Sequence, residues 1–123
     1  MINSIIKQAW INALKSGEYK HGQYALHSKD TFCCLGVLCD IYRKELQDKE
    51  LKIINLDWVR NVRWGEGSSH FEFLSNIYSL PIEVKQWAGG IENFHENKLA
   101  SINDDLETVD FFKQIEYIKQ IKE

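Results

Sequence analysis

The sequence predicts an α+β fold in which several helices pack on a small antiparallel sheet within one compact domain, residues 1–123. Three observations lead to this prediction. The length of 123 residues is that of one domain. Apolar residues recur at helical spacing near both ends of the chain, and short β-forming segments separated by turn residues lie between them. No internal repeat or domain boundary is visible in the sequence.

The nine residues Phe32–Asp40 form the longest apolar run and contain all three cysteines and a glycine. This run is too short to cross a bilayer, which takes about 20 apolar residues, so we expect it to be buried inside the domain. Its period changes from strand-like to helical at Cys34, which predicts a strand end that continues into a helix. Gly36, in the first turns of that helix, is expected to permit close backbone packing.

Two elements are predicted before this run. Apolar residues at three- and four-residue spacing predict a helix from Ser4 to Ser16, with Asn3 as one of two candidate caps and Gly17 just past its end. The segments Tyr24–His27 and Thr31–Cys33 are predicted to be the two strands of a hairpin, because a turn-forming Ser-Lys-Asp sequence lies between them.

The rest of the chain is predicted to contain two more strands, two helices and the segments that connect them. In chain order these are a strand at Leu56–Trp64, a strand at His70–Leu74, a short helix at Leu80–Gly89, a loop at Glu92–Asn97, a short apolar strand-like piece at Leu99–Ile102, and a last helix that begins near Asp105 or Thr108.

The charge and cysteine content limit the class of partner. A net charge of −3 removes the long-range attraction on which duplex nucleic-acid binding normally depends, but it leaves room for a small anion held by a few basic residues. The sequence begins with an amphipathic helix and shows no secretory signal, and its cysteine count is odd. We therefore expect reduced thiols, a cytoplasmic protein and no membrane contact.

The cysteines were the first candidates for chemistry. Cys33, Cys34 and Cys39 do not have the spacing of a structural zinc site, and no histidine pair does either. We interpret them as small buried hydrophobic residues, and we expect no metal site, no cofactor and no catalytic residue. A nucleophilic Cys34 at a helix N-terminus is the alternative.

The predicted strand Leu56–Trp64 contains two tryptophans and two arginines. In a nucleotide-binding site, Trp58 and Trp64 would stack on a base, while Arg60 and Arg63 would hold a phosphate through paired hydrogen bonds. The alternative is an edge strand protected by charge, with its tryptophans packed on a helix.

Other polar residues adjoin this candidate site. Tyr19 and Lys20 form a second aromatic and basic pair, and Phe32 and Asp40 lie at the two ends of the apolar run. Asn103 and Asp104 lie between an apolar piece and a predicted helix, where side chains commonly reach a ligand. A helix cap is the alternative role for these two residues.

Four strings in the sequence resemble a family of small uncharacterised phage and prophage proteins. The most specific is FCCLGVLCD at Phe32–Asp40, and the others lie at Trp10–Leu26, Leu80–Gly89 and Leu99–Asp104. The chain departs from that family at His21, where a glutamine is expected, and in lacking a glycine between Asp104 and the last helix.

The resemblance implies a phage-type counter-defence protein made in the host bacterial cytoplasm. Such proteins include homo-oligomeric sponges that bind and sequester a nucleotide-derived immune signal without cleaving it, for example an ADP-ribose derivative produced by a TIR-domain enzyme. The alternatives are a small nucleotide-hydrolysing enzyme and an inhibitor that binds a host protein. The residues expected to bind the ligand are Tyr19, Lys20, Phe32, Asp40, Trp58, Arg60, Arg63, Trp64, Asn103 and Asp104.

Overall fold

Five helices and five short strands make up the part of the chain that the structure, a computed structural model, describes: residues 2–48, 56–60 and 70–123. The elements in chain order are α1 (Ser4–Lys15), β1 (Lys20–His21), β2 (His27–Ser28), β3 (Thr31–Phe32), α2 (Cys34–Asp48), β4 (Val59–Arg60), β5 (His70–Glu72), α3 (Ile82–Trp87), α4 (Asn93–Asp104) and α5 (Phe112–Lys119). The predicted α+β class is confirmed.

The strands form one sheet in the order β1-β3-β2-β5-β4. The predicted hairpin is present as β2 and β3, although its first strand begins at His27 and not at Tyr24. The strand β5 pairs with both β2 and β4, and all these pairs are antiparallel. The sheet is mixed, however, and not purely antiparallel, because β1 runs parallel to β3. The chain reverses direction once between β1 and β2 and again between β2 and β3, so β1 and β3 point the same way when they become neighbours.

The helix α2 lies at the centre of the molecule and packs against α1, α3 and α4. Every residue from Cys33 to Asp40 is buried, and β3 ends at Phe32 just before α2 begins at Cys34. The predicted change from strand to helix is therefore confirmed. The indole N–H of Trp10 in α1 donates to the carbonyl oxygen of Cys34 over 2.9 Å, which joins the two helices. Among the described helices, none combines the length and the apolar character that a bilayer span requires.

The two ends of α1 follow from residues recognised in the sequence. The Asn3 side-chain oxygen accepts the backbone N–H groups of Ile5 and Ile6 over 2.9 and 3.1 Å, which caps the helix. Past its end, Gly17 has φ +79°, a left-handed conformation that costs glycine little.

The prediction of a loop and then a strand-like piece between Glu92 and Ile102 was wrong. Glu92 is the N-cap of α4, and the rest of this segment belongs to the helix. The buried face of α4 is formed by Glu96, Leu99 and Asn103, so two of its three inward residues are polar. Glu96 accepts the Leu80 backbone N–H over 2.7 Å and lies 2.6 Å from the Lys85 Nζ atom. A helix that buries paired polar residues has no apolar stripe for the sequence pattern to reveal.

The last helix begins at Phe112 and not near Asp105 or Thr108. The connection before it is irregular, and Thr108 and Phe111 are its buried residues. Lys7 in α1 holds the other end of α5, because its Nζ atom donates to the backbone oxygens of Lys119 and Ile121 over 3.0 and 2.7 Å. A cation at these carbonyl groups also complements the negative end of the helix dipole.

Gly36 allows the sheet and α2 to touch through their backbones, which confirms the expectation from the sequence. A Cβ atom at this position would overlap the carbonyl oxygen of Leu26, and neither backbone can move without disturbing the core. Substitution of Gly36 by alanine should therefore lower the free energy of unfolding by about 1–3 kcal/mol, although alanine is the better helix former.

Chemical denaturation of Gly36→Ala beside the unmodified protein tests this expectation. Gly17→Asn is the matched control, because no atom lies within 4 Å of the position where its Cβ would lie and asparagine tolerates left-handed φ. A stabilised Gly36→Ala variant would contradict the close approach of the two backbones.

Candidate functional site

A buried carboxylate on α2, that of Asp40, is the centre of the candidate site. The residue is only 4% exposed, and its side chain accepts three hydrogen bonds. The hydroxyl of Tyr19 donates over 2.6 Å, the indole N–H of Trp58 over 3.0 Å and the Nε–H of Arg43 over 2.9 Å. Asp40 thus connects α2 with the segment after α1 and with the residue that precedes β4.

Lys44 completes this group, which we call the Asp40 cluster: Asp40, Tyr19, Trp58, Arg43 and Lys44. The Lys44 Nζ atom lies 3.5 Å from the Asp40 carboxylate and 3.2 Å from the Tyr19 hydroxyl, and 5.3 Å from the centre of the Tyr19 ring. Arg43 and Lys44 follow Asp40 by three and four residues, so one face of α2 brings all three together. The Lys44 side chain is 52% exposed and can reach a ligand from solvent.

The hydrogen bonds of the cluster set the protonation of its members. Burial by itself would raise the pKa of Asp40, but the bonds from Tyr19, Trp58 and Arg43 outweigh burial and hold that pKa below its ordinary value. Burial raises the pKa of Tyr19, and its bond to Asp40 raises it further. At neutral pH the cluster therefore contains an ionised Asp40 and a neutral Tyr19.

Three aromatic rings are stacked face to face across the sheet. We call these residues, Phe32, His27 and Phe71, the aromatic stack. The His27 ring lies 3.9 Å from Phe32 and 4.4 Å from Phe71, tilted by 4° and 14°. The register explains this arrangement, because His27 in β2 is directly opposite both Phe32 in β3 and Phe71 in β5. Both faces of His27 are consequently covered.

The indole of Trp58 lies across the edges of this stack. Its centre is 5.0 Å from His27 and 5.8 Å from Phe32, with interplanar angles of 70° and 73°. Because both faces of His27 are covered, the contact with Trp58 involves the edge of the imidazole. Trp58 also contacts the buried Phe73 at 5.0 Å and remains partly exposed. One indole therefore joins the aromatic stack to the Asp40 cluster.

His27 is a neutral member of the stack with a defined tautomer. Its Nδ1 atom lies 2.9 Å from the carbonyl oxygen of Thr31, which can only accept, so Nδ1 carries the proton. Burial lowers the pKa of His27 more than its bond to Thr31 and the nearby Asp40 raise it.

Arg60 extends the row of aromatic residues at one side. It is directly opposite Phe71 in the pairing of β4 with β5, so the two side chains share a face of the sheet. Arg60 is exposed. The row from β3 to β4 therefore consists of Phe32, His27, Phe71 and Arg60, an aromatic surface that ends in a guanidinium group.

The structure brings together part of the predicted ligand-binding set. Tyr19 and Trp58 both donate to Asp40, and Phe32 contacts both of their rings. Arg60 joins the same row of residues through its register. Lys20 is exposed in β1, where its Nζ atom lies 3.1 Å from the Asp30 carboxylate. Of the other predicted residues, Arg63 and Trp64 lie outside the described residues, and Asn103 and Asp104 lie at the end of α4.

Asn103 and Asp104 have other partners, at the end of α4. The Asn103 side-chain oxygen accepts from the backbone N–H of Cys34 and from Gln114, each over 3.1 Å, and its amide donates to the carbonyl oxygen of Gly22 over 2.9 Å. Asp104 accepts the backbone N–H of Tyr24 over 2.7 Å. These contacts hold the segment between β1 and β2 and the start of α2. The two residues therefore stabilise the elements that carry the site.

Four residues of the site were not predicted: His27, Phe71, Arg43 and Lys44. Arg43 and Lys44 had a sequence signal, because an acidic residue followed by basic residues at three- and four-residue spacing marks one helix face. His27 and Phe71 had none, since only the register of three strands places their rings together.

The cysteines are buried and free. Burial raises the pKa of the Cys33 thiol to about 12 and that of Cys34 well above its usual value, so neither forms the thiolate that a nucleophile needs. Within the ranges 2–48, 56–60 and 70–123, no three histidine, cysteine or acidic side chains are grouped so as to hold a metal ion.

A groove of about 340 Å³ lies in another part of the molecule. Its walls come from both ends of the described chain and from the start of α4, and none of the ten predicted residues lines it: Ile2, Gly90, Glu92, Phe94, His95, Gln120, Ile121 and Lys122. We place the candidate site at the Asp40 cluster because a buried carboxylate, two cations and partly exposed aromatic rings come together there.

The chain belongs to the family described as Domain of unknown function (DUF8296), whose model matches residues 2–122. Among curated proteins and among solved structures, no significant match to the chain is found. The family match spans the Asp40 cluster and the aromatic stack, but its description gives no activity. Function is therefore argued from the residues of the site.

Replacement of Asp40 by asparagine should lower the free energy of unfolding by about 1–3 kcal/mol, because one of the three donors loses its acceptor and Arg43 loses its counter-charge. Chemical denaturation measures this change. Asp30→Asn is the matched control. Its ion pair with Lys20 is exposed, so no measurable change is expected there. Equal effects of the two variants would contradict a central role for Asp40.

The stability of the protein should depend on pH through His27. Its pKa is lowered in the folded state, so the unfolded chain binds more protons once the pH falls below about 6.5, and the free energy of unfolding should fall with it. Denaturation curves between pH 7.5 and about 5 test this. His27→Phe keeps a ring between Phe32 and Phe71 and should reduce the dependence of the free energy of unfolding on pH. An NMR titration that gives His27 an ordinary or raised pKa would contradict the expectation.

Proposed function

We propose that this member of the family is a non-enzymatic binding protein that captures a nucleotide-derived signal and holds it uncleaved. The ligand class is an ADP-ribose derivative, such as the product of a TIR-domain enzyme. The observation that carries the proposal is the row of aromatic rings that ends in Arg60 and is joined by Trp58 to the Asp40 cluster. The counter-defence role in a bacterial cytoplasm comes from the resemblance to phage and prophage proteins.

Base stacking is assigned to Trp58. The indole is partly exposed, and its orientation is set by the hydrogen bond to Asp40 and by the ring edges beneath it. A ring already held in place loses little conformational freedom when a base stacks on it, so more of the contact energy appears as affinity. Phe32 contributes indirectly, because it supports the indole through the aromatic stack.

Phosphate binding is assigned to the cations that adjoin the stack. Arg60 follows Trp58 by two residues and shares a face of the sheet with Phe71, while Lys44 extends from α2 beside Tyr19. A guanidinium group can hold a phosphate by two parallel hydrogen bonds, and an ammonium group adds a point charge. Lys20 and Arg63 remain further candidates from the sequence.

Two features favour a binder over an enzyme. The thiol of Cys34, the nucleophile considered as the alternative, is buried and its pKa is raised. Asp40 already accepts hydrogen bonds from three side chains and its pKa is lowered, which suits a fixed anion better than a general base near neutral pH. Both features support capture without turnover.

A homo-oligomer is part of the proposal. The aromatic row lies on a sheet surface, and a domain of this size encloses a nucleotide most readily between two subunits. Light scattering with and without ligand measures the subunit number.

Isothermal titration calorimetry against ADP-ribose derivatives and cyclic dinucleotides tests the proposal. Trp58→Ala should weaken binding about 10- to 100-fold, because stacking of one base contributes about 1–3 kcal/mol. Trp58→Phe keeps a ring and should lose less. Arg60→Ala and Lys44→Ala should weaken binding and reduce its dependence on salt, whereas Lys119→Ala, an exposed lysine on α5, should leave both unchanged.

Three outcomes would overturn this function. The first is no binding tighter than millimolar to any of these nucleotides. The second is recovery of a cleaved ligand after the complex is denatured, which mass spectrometry would detect and which would indicate an enzyme. The third is a stoichiometric protein partner from host lysate in place of any bound small molecule, which would indicate a protein inhibitor.

A further inference from the structure

The connection between α4 and α5 exposes three large apolar side chains. Leu106 is 84% exposed, Val109 is 79% exposed and Phe112, the first residue of α5, is 67% exposed. Single exposed apolar residues are normal on a protein surface and need no explanation. Three of them within seven residues of one connection form an apolar surface, which we call the 106–112 surface.

These three residues are not needed to cover the core beneath them. The same connection already buries two side chains, Thr108 and Phe111, each only 5% exposed. Buried positions occur only at residues 108 and 111 of this connection, and the exposed positions carry the larger total apolar surface. Folding gains little from Leu106, Val109 and Phe112, so their apolar character points to a contact made outside the described chain.

The backbone that carries these side chains is held by local hydrogen bonds. The Asp105 side chain accepts the Glu107 N–H over 2.8 Å, and the Asp105 carbonyl oxygen accepts the Thr108 N–H over 3.0 Å. The Asp110 side chain accepts the Phe112 N–H over 3.1 Å. The backbone of this connection is thus already ordered, which lowers the entropic cost of binding a partner.

The surroundings of the 106–112 surface are strongly acidic. Asp105, Glu107 and Asp110 are exposed and alternate with the apolar residues along the chain. From residue 104 to residue 116 the sequence has five carboxylates and a single cation, Lys113. A partner must therefore supply an apolar contact and positive charge together.

We propose that the 106–112 surface is a docking site for a segment of another protein in which lysine or arginine residues surround large apolar side chains. A second copy of this chain fits poorly, because a two-fold contact would bring the same carboxylates against each other. None of the residues of this surface belongs to the Asp40 cluster or to the aromatic stack. The inference is therefore independent of nucleotide binding.

Two synthetic helical peptides test the chemistry of the partner. One has leucine along one face and lysine on the other, and its counterpart has glutamate in place of lysine. Fluorescence anisotropy of the labelled peptides gives affinities, and NMR amide shifts locate the contact. We expect the lysine peptide to bind with shifts centred on residues 105–113, and the glutamate peptide to bind at least about tenfold more weakly.

Matched variants separate the apolar and the charged contributions. The triple variant Leu106→Ser, Val109→Ser and Phe112→Ser should lower the affinity for the lysine peptide about tenfold or more. Ile5→Ser with Ile82→Ser removes apolar side chains that are also exposed, at 78% and 63%, but on α1 and α3, and should have no effect. Thermal melts confirm that each variant is folded.

The charge variant Asp105→Asn, Glu107→Gln and Asp110→Asn keeps the side-chain oxygens that accept backbone N–H groups. This variant should lower the affinity for the lysine peptide and reduce the dependence of that affinity on salt concentration. The proposal is overturned by equal binding of the two peptides, by shifts centred elsewhere, or by no binding of the lysine peptide. A dimer dissociated by the serine triple variant would likewise overturn it, in favour of a second copy.

Discussion

The close approach of two backbones, at Leu26 and at Gly36, fixes how α2 lies on the sheet. The Leu26 carbonyl oxygen accepts the Cys33 N–H over 3.1 Å, and the Leu26 N–H donates to the Ile77 carbonyl oxygen over 2.8 Å. Because Leu26 is fully buried and precedes β2, α2 begins directly against the hairpin. This contact sets the distance between Asp40 on the helix and the aromatic residues on the strands, and the candidate site depends on that distance.

A buried side chain on α4 secures the same region from the opposite side. The Asn103 amide joins α4 to the first residue of α2, to α5 and to the segment before β2. A buried amide with its partners satisfied stabilises one arrangement of these elements, and any other arrangement would leave polar groups unpaired. Gly36 and Asn103 therefore both determine the position of the hairpin relative to α2.

The molecule separates its charges between two surfaces. Arg60 and Lys44 adjoin aromatic rings on the sheet side, whereas Asp105, Glu107 and Asp110 surround apolar residues between α4 and α5. The net charge of −3 does not reveal this separation, because it sums 15 basic and 18 acidic residues over the whole chain. Each surface therefore combines apolar side chains with an excess of one sign of charge.

The sequence by itself determined the α+β class, α1, the hairpin and the passage from β3 into α2, because these follow from local periodicity and turn residues. It also identified Tyr19, Phe32, Asp40 and Trp58 as candidate site residues. The tertiary structure decided the rest. The helix α4 buries paired polar residues that no apolar stripe reveals, and the aromatic stack exists only through the register of strands far apart in the chain. Local patterns cannot contain either feature, since both arise from partners brought together by folding.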